Sequence, residues 1–164
     1  MQKTITGIAA TFPQADIDTD LIIPACYLTT SDAAELSQHT LEAIGGEKLR
    51  RIQNPIVIAG NNFGCGSSRE HAVWALVGSG VKAVIADSFA RIFFRNSINF
   101  GLPTVMIAQA SEKFAEGDSL EIDFSRSVVR NLTQDKEYPF EPLPQFLLEI
   151  VEAGGLLNGI KHPA

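Results

Sequence analysis

Cysteine is scarce in this chain: Cys26 and Cys65 are the two in 164 residues. Two cysteines make no disulfide framework, so both thiols are expected to be reduced and the expected address is the cytoplasm. Metal-ligand spacing is missing as well. The two cysteines and the three histidines (His39, His71, His162) form neither a C-x-x-C nor an H-x-x-x-H pattern. No apolar run approaches the ~20 residues of a membrane span, and the N-terminus has no signal-peptide apolar region. Basic runs are absent too, and the formal charge of −6 argues against nucleic acid as a partner. No internal repeat, low-complexity tract or linker divides the chain. Residues 1–164 therefore read as a single domain, long enough to bury its own core.

What is present is concentrated in one stretch. Residues 60 to 71 read Gly-Asn-Asn-Phe-Gly-Cys-Gly-Ser-Ser-Arg-Glu-His. The apolar run Pro55-Ile56-Val57-Ile58-Ala59 precedes it, and Ala72-Val73-Trp74-Ala75-Leu76-Val77 continues from it at helical spacing. The segment reads as a buried strand, a glycine-rich turn and a helix start. Ser67 followed three residues later by Glu70 has the spacing of a capping box. Unpaired amides at that helix start, beside Ser67, Ser68 and Arg69, would suit an anion.

The rest of the chain frames this turn. Lys3 to Phe12 reads as an opening strand, followed by the acidic turn Asp16-Ile17-Asp18-Thr19-Asp20 and then Leu21-Ile22-Ile23-Pro24. Ser31 to Ile44 is predicted to be a helix with a thin apolar face, stopped by Gly45-Gly46 and either mobile or completed by a partner. The centre alternates: strand 55–59, helix 68–79, strand 81–86, helix 88–99, strand 103–108, an order that implies a parallel sheet. A hairpin over 119–132 and a closing helix over 141–153 follow. The predicted class is α/β, a mostly parallel central sheet with helices and a β-rich periphery.

Competing motifs fail on particular residues. A dinucleotide fingerprint has glycines at 64 and 66 but Arg69 where the third is needed. A Walker A loop needs a lysine, and a nucleophile elbow needs Gly-x-Ser-x-Gly; neither occurs here. Cys65 near a helix start has a mechanism for a lowered pKa. His71, however, falls about one turn into the helix and is expected to point away, so Cys65 reads better as a small residue packed behind the turn. This chain alone cannot hold an iron–sulfur cluster, which takes about four protein ligands.

The stretch Asn62 to His71 resembles the signature of the 3-isopropylmalate dehydratase small-subunit family, the detached swivel domain of the aconitase superfamily. Two further blocks match in order. Asp16 to Pro24 resembles the family's N-terminal signature. Ser88-Phe89-Ala90-Arg91-Ile92-Phe93 with Asn96, then Gly101-Leu102-Pro103, resembles its third block. The resemblance implies a large-subunit partner whose cysteines carry a [4Fe–4S] cluster, with no cofactor in this chain. It implies dehydration and rehydration of a 2-hydroxy dicarboxylate through an alkene, interconverting 2- and 3-isopropylmalate in leucine biosynthesis.

By matching position, Ser67 would be the base as its alkoxide, and Asp20 the acid that orients the site, by pairing with an arginine such as Arg91. Ser68 and Arg69 would bind substrate carboxylate, and Arg91 is a further substrate-binding candidate. Specificity in the family is expected from the loop Cys26-Tyr27-Leu28-Thr29-Thr30, which runs into a mobile substrate-recognition segment at 28–45. Homoaconitase-type subunits tend to carry an arginine after Tyr-Leu. Thr29 has no charge, and burying an extra carboxylate unpaired is costly, so a small alkyl-malate is expected. The alternatives are a homoaconitase or a methylmalate or dimethylmalate dehydratase subunit, or a non-catalytic anion-binding module of the same fold. An isolated small subunit is also expected to be able to self-associate through the face meant for its partner.

Overall fold

The computed structural model describes residues 4–30, 32–67 and 69–154; Ser31 and Ser68, both named above, lie outside them. In chain order the elements are β1 (Thr4–Phe12), α1 (Thr19–Ile22), α2 (Ala33–Ser37), β2 (Pro55–Ala59), α3 (His71–Gly78), β3 (Ala83–Ala86), α4 (Arg91–Asn99), β4 (Thr104–Met106), α5 (Ala110–Lys113), β5 (Ser119–Asp123), β6 (Val128–Asn131), β7 (Lys136–Pro139) and α6 (Gln145–Glu152). The strands form one seven-stranded sheet in the order β4-β3-β2-β1-β5-β6-β7. From β1 to β4 the pairing is parallel, as the strand–helix alternation requires. From β1 outward through β5, β6 and β7 it is antiparallel, so the β-rich periphery continues the same sheet.

Strand periodicity sorts the side chains of β2 into two cores. Val57 and Ala59 enter a cluster with Phe12, Ala72, Val73, Leu76 and Phe93 on one face. Ile56 and Ile58 enter the other, with Ile85, Val105, Phe114, Leu120 and Val129. Every residue of β2 and β3 is buried, because helices or loops cover both faces of the parallel half. β5 alternates between buried and half-buried residues, as a strand covered mainly on one face should.

Several predicted elements differ in extent: the helix expected over 88–99 starts at Arg91, and the strands expected over 81–86 and 103–108 are Ala83–Ala86 and Thr104–Met106. The helix expected over 31–44 is one short helix, α2, followed by turns. Leu41 takes φ +53, which ends helical geometry, and its N–H donates to the Ile22 carbonyl at 2.8 Å. Leu36 and Leu41 are both fully buried, and the Thr40 hydroxyl donates to the Ala75 carbonyl of α3 at 2.9 Å. The central helix starts at His71 rather than residue 68. The closing helix starts at Gln145, with Pro144 as its N-cap, because a residue before proline is kept out of helical geometry. No described helix is long and apolar enough to cross a membrane.

Candidate active site

Parallel strands all point one way, so the loops that follow them gather at one end of the sheet, where ligands bind in open α/β folds. Here the loops after β1, β2 and β3 are stitched together. The Asp16 N–H donates to the Asn61 carbonyl, and the Gly64 N–H to the Ile17 carbonyl, at 2.8 and 2.7 Å. On the other side the Phe63 N–H donates to the Ser88 carbonyl and the Ala90 N–H to the Phe63 carbonyl, both at 3.0 Å. Asn62 joins the three loops: its N–H donates to Ser88 Oγ at 2.8 Å and its Nδ2 to Asp16 Oδ1 at 3.0 Å.

Two glycines make this approach possible. Gly64 has φ +83, and a Cβ there would lie 2.2 Å from Phe93 Cγ. Gly66 has φ +102, and a Cβ there would lie 3.1 Å from Thr19 Oγ1. Gly64 combines left-handed backbone with no room for a side chain; at Gly66 the left-handed backbone is joined by a tight approach to Thr19.

The capping box does not form. Glu70 is the N-cap of α3 and makes no side-chain cap bond. Because the chain is still in the glycine turn at 67, Ser67 is exposed and its Oγ lies 3.3 Å from Thr19 Oγ1. The serine hydroxyl is therefore not engaged in holding the helix.

Asp20 and Arg69 come together, with Nη1 3.4 Å from Oδ1 and side chains 31% exposed for Arg69 and 67% for Asp20. Asp20 Oδ1 also accepts the Ala25 N–H at 3.1 Å, which ties the acid to the turn carrying Tyr27. Asp18, which the motif placed beside it, serves α1 instead and accepts the Leu21 N–H at 2.7 Å. The partner of Asp20 is thus Arg69 and not Arg91. Arg91 opens α4 and lines a groove with Phe94, Arg95, Ile98, Asn99 and Leu147.

Of the residues expected to recognise substrate, Tyr27 and Leu28 face the body of the protein while Thr29 is exposed. The Tyr27 ring stacks on His39 with centroids 3.7 Å apart, and its hydroxyl donates to Glu42 Oε1 at 3.0 Å. His39 Nδ1 lies 2.9 Å from the second oxygen of Glu42. The hydrogen bond to the Glu42 carboxylate, then burial, raise the Tyr27 hydroxyl above its ordinary value.

Cys65 is half-buried, and burial pushes its thiol above the ordinary value; the carboxylates of Asp18 and Asp16 push the same way. A raised pKa disfavours the thiolate, which argues against the nucleophile reading. Among the described residues no three His, Cys, Asp or Glu side chains come together as metal ligands. The groups this face offers are hydroxyl, carboxylate and guanidinium, a set suited to protons and carboxylates rather than to an iron–sulfur cluster. Sequence reasoning missed Thr19, Asn62 and Ser88. The hydroxyl and amide side chains among the three blocks were the available signal.

Residues 46–110 match the model of the aconitase C-terminal domain family. The chain is 47% identical over 148 residues to the 3-isopropylmalate dehydratase small subunit of Ruminiclostridium cellulolyticum, covering 90% of this chain and 91% of that one. It is 50% identical over 147 residues to the protein of that name from Caldicellulosiruptor saccharolyticus, covering 89% and 85%. Its fold superimposes on the crystal structure of 3-isopropylmalate dehydratase from Methanocaldococcus jannaschii with a TM-score of 0.88 and 42% identity, over 96% of this chain and 93% of that one.

Proposed function

The chain belongs to the 3-isopropylmalate dehydratase small-subunit family, and on that premise we propose that it is the small subunit of a hydro-lyase that interconverts 2- and 3-isopropylmalate in leucine biosynthesis. The observation that carries the reading is the grouping of Ser67, Thr19, Asp20 and Arg69 where the loops after β1 and β2 meet. Ser67 and Asp20 are exposed there and Arg69 is partly so. This is half of a site, open on the side where a large subunit would close it.

Each residue has a task that its chemistry suits. Ser67 takes a proton from the substrate carbon next to a carboxylate. Its alkoxide is disfavoured in water, and fixed donors in a closed site favour it. Arg69 offers a planar fork to a substrate carboxylate, and Asp20 holds that fork in place. Ser68 is assigned to the same carboxylate on the motif alone. Thr29 presents a methyl and no charge, which suits an alkyl substituent on the malate. The partner's [4Fe–4S] cluster would supply Lewis acidity toward the departing hydroxyl.

The test is to co-produce the chain with its large subunit, load the cluster anaerobically, and follow alkene absorbance across a malate series. Turnover of 2-isopropylmalate by the assembled complex is the expected result. Turnover by this chain alone would overturn the reading. A preference for malates with a third carboxylate would overturn the substrate, and Thr29→Arg is expected to move the enzyme in that direction.

A further inference from the structure

A serine that works as an alkoxide needs a donor on its oxygen, and the structure holds one that the motif did not announce. Thr19 sits between two aspartates in a turn, yet it is only 3% exposed. Its N–H donates to the Cys65 carbonyl at 2.8 Å, which locks its backbone against the glycine turn. Its Oγ1 is 3.3 Å from Ser67 Oγ, and among the described residues Ser67 is the hydrogen-bond partner of this hydroxyl. The helix that Thr19 opens does not need that hydroxyl, since Asp18 supplies the cap. Gly66 keeps the approach open, because a Cβ there would lie 3.1 Å from Thr19 Oγ1.

With both hydroxyls protonated, either oxygen can donate. Once Ser67 has lost its proton its oxygen can only accept, so Thr19 must be the donor. The contact then becomes a charge-assisted hydrogen bond, shorter and stronger than a neutral one. We propose that Thr19 is a positioning residue for the proposed reaction: its buried hydroxyl donates to Ser67 Oγ, fixes the direction of that oxygen and favours the alkoxide. Thr19 acts in this way only if Ser67 is the base. The proton passes from the substrate carbon to Ser67 Oγ, and the C–H electron pair becomes the alkene π bond. The hydroxyl leaves the neighbouring carbon with its own pair, and Thr19 keeps its proton throughout.

The experiment compares Thr19→Val, Thr19→Ser and Ser67→Ala in the assembled, cluster-loaded complex, with kcat expressed per assembled complex. Valine matches threonine in shape and lacks the O–H. It is expected to lower kcat by about 100-fold, the low end for removing one oxyanion donor, with KM changed less than about twofold. Serine restores the donor and is expected to recover most of kcat. The primary isotope effect on removal of the substrate C–H proton should grow in the valine variant as that step becomes limiting. If valine weakens assembly, Thr19→Ala trims the same hydroxyl without branching and gives the same readings. Full kcat in the variants lacking the hydroxyl, or an equal loss with Thr19→Ser, overturns the role of Thr19 while leaving Ser67→Ala inactive. Activity retained by Ser67→Ala overturns the base itself.

Discussion

The two halves of the sheet are built by different rules, and the difference decides where the chemistry sits. The strands from β1 to β4 run parallel, so each is followed by a long connection, and those connections begin at the same end of the sheet. Polar residues of those loops bind one another across 40 or more positions of sequence, as Asn62 does with Asp16 and Ser67 with Thr19. In the antiparallel half, hairpins join β5 to β6 and β6 to β7, and polar residues serve their own turns. The Asp123 carboxylate accepts the N–H groups of Ser125 and Arg126, and the Asn131 side-chain Oδ1 accepts that of Gln134. A parallel sheet thus collects side chains from distant blocks at one edge, whereas an antiparallel one spends them locally. β1 pairs with β2 on one side and β5 on the other, and one apolar core runs beneath both halves.

If that division is right, function and stability should separate by mutation. The largest effect is expected from Ser67→Ala. Losing a general base costs about 10²- to 10⁴-fold in rate, whereas an exposed surface change alters stability by less than about 0.5 kcal/mol. Alkene absorbance and urea denaturation measure the two quantities. In the other half, Leu120→Ala removes a fully buried side chain of β5. It should cost about 2–5 kcal/mol in urea and leave the kcat of the assembled complex within about twofold. A large fall in kcat at temperatures where the variant is fully folded would show that packing changes in the antiparallel half reach the site, and the separation would fail.

The same contrast explains how much could be read from residues alone. The parallel half was legible because buried strands leave continuous apolar runs and glycine marks the turns: β2 and the glycine turn fall where the pattern put them, and β3 ends where expected but starts two residues later. β7 escaped notice, since Lys136-Glu137-Tyr138-Pro139 is a polar, largely exposed edge strand with no apolar alternation to show it. α5 escaped because its first amides are capped from a distance, by the Asp87 carboxylate accepting from Gln109 and Ala110. At the candidate site, the blocks that hold Ser67, Arg69 and Asp20 were legible, and the fold brings Arg69 to Asp20. The choice of Arg69 over Arg91 as the partner of Asp20 was not, because it depends on how the loops fold back. Thr19 was hidden for a similar reason: a threonine among aspartates reads as a turn residue until burial shows otherwise.

A smaller effect is expected where the antiparallel half begins. Asp118 is 6% exposed, and its Oδ2 accepts from the Ala115 N–H, Asn131 Nδ2 and Gln134 Nε2. Burial alone would raise its carboxyl, but these three donors outweigh it and hold the group below its ordinary value. Glu116 is lowered in the same sense: burial opposes it, and donors from Lys48 and Thr11 prevail. A carboxylate lowered by folding adds stability that is fully present above its unfolded pKa. That stability is lost as pH falls through the folded value. Asp118→Asn can keep an oxygen for the three donors that converge on Oδ2, but it removes the charge that strengthens those bonds, and should cost about 1–3 kcal/mol at pH 7. Urea midpoints measured from pH 7 down to pH 3 should then fall less steeply for the variant than for the parent. Parallel curves would mean that the Asp118 carboxylate does not contribute to acid unfolding.

The smallest change in stability is expected at Asp20, and its value lies in what it separates. The pair with Arg69 is 3.4 Å long and open to water on the acid's side. Exposed pairs of this kind are worth about 0–1 kcal/mol. Asp20→Asn keeps an oxygen for the Ala25 N–H and so preserves the turn that follows. What it removes is the charge that holds the guanidinium. If Asp20 guides Arg69 toward a substrate carboxylate, the assembled variant should show a KM about fivefold higher, equivalent to the ~1 kcal/mol upper end for such a pair. Its urea midpoint should stay the same. If Asp20 instead competes with the substrate for the same guanidinium, KM should fall, because deleting the competitor frees the fork. A steady-state titration with 2-isopropylmalate decides between the two signs. A lower KM would make Asp20 a gate on Arg69 rather than its guide.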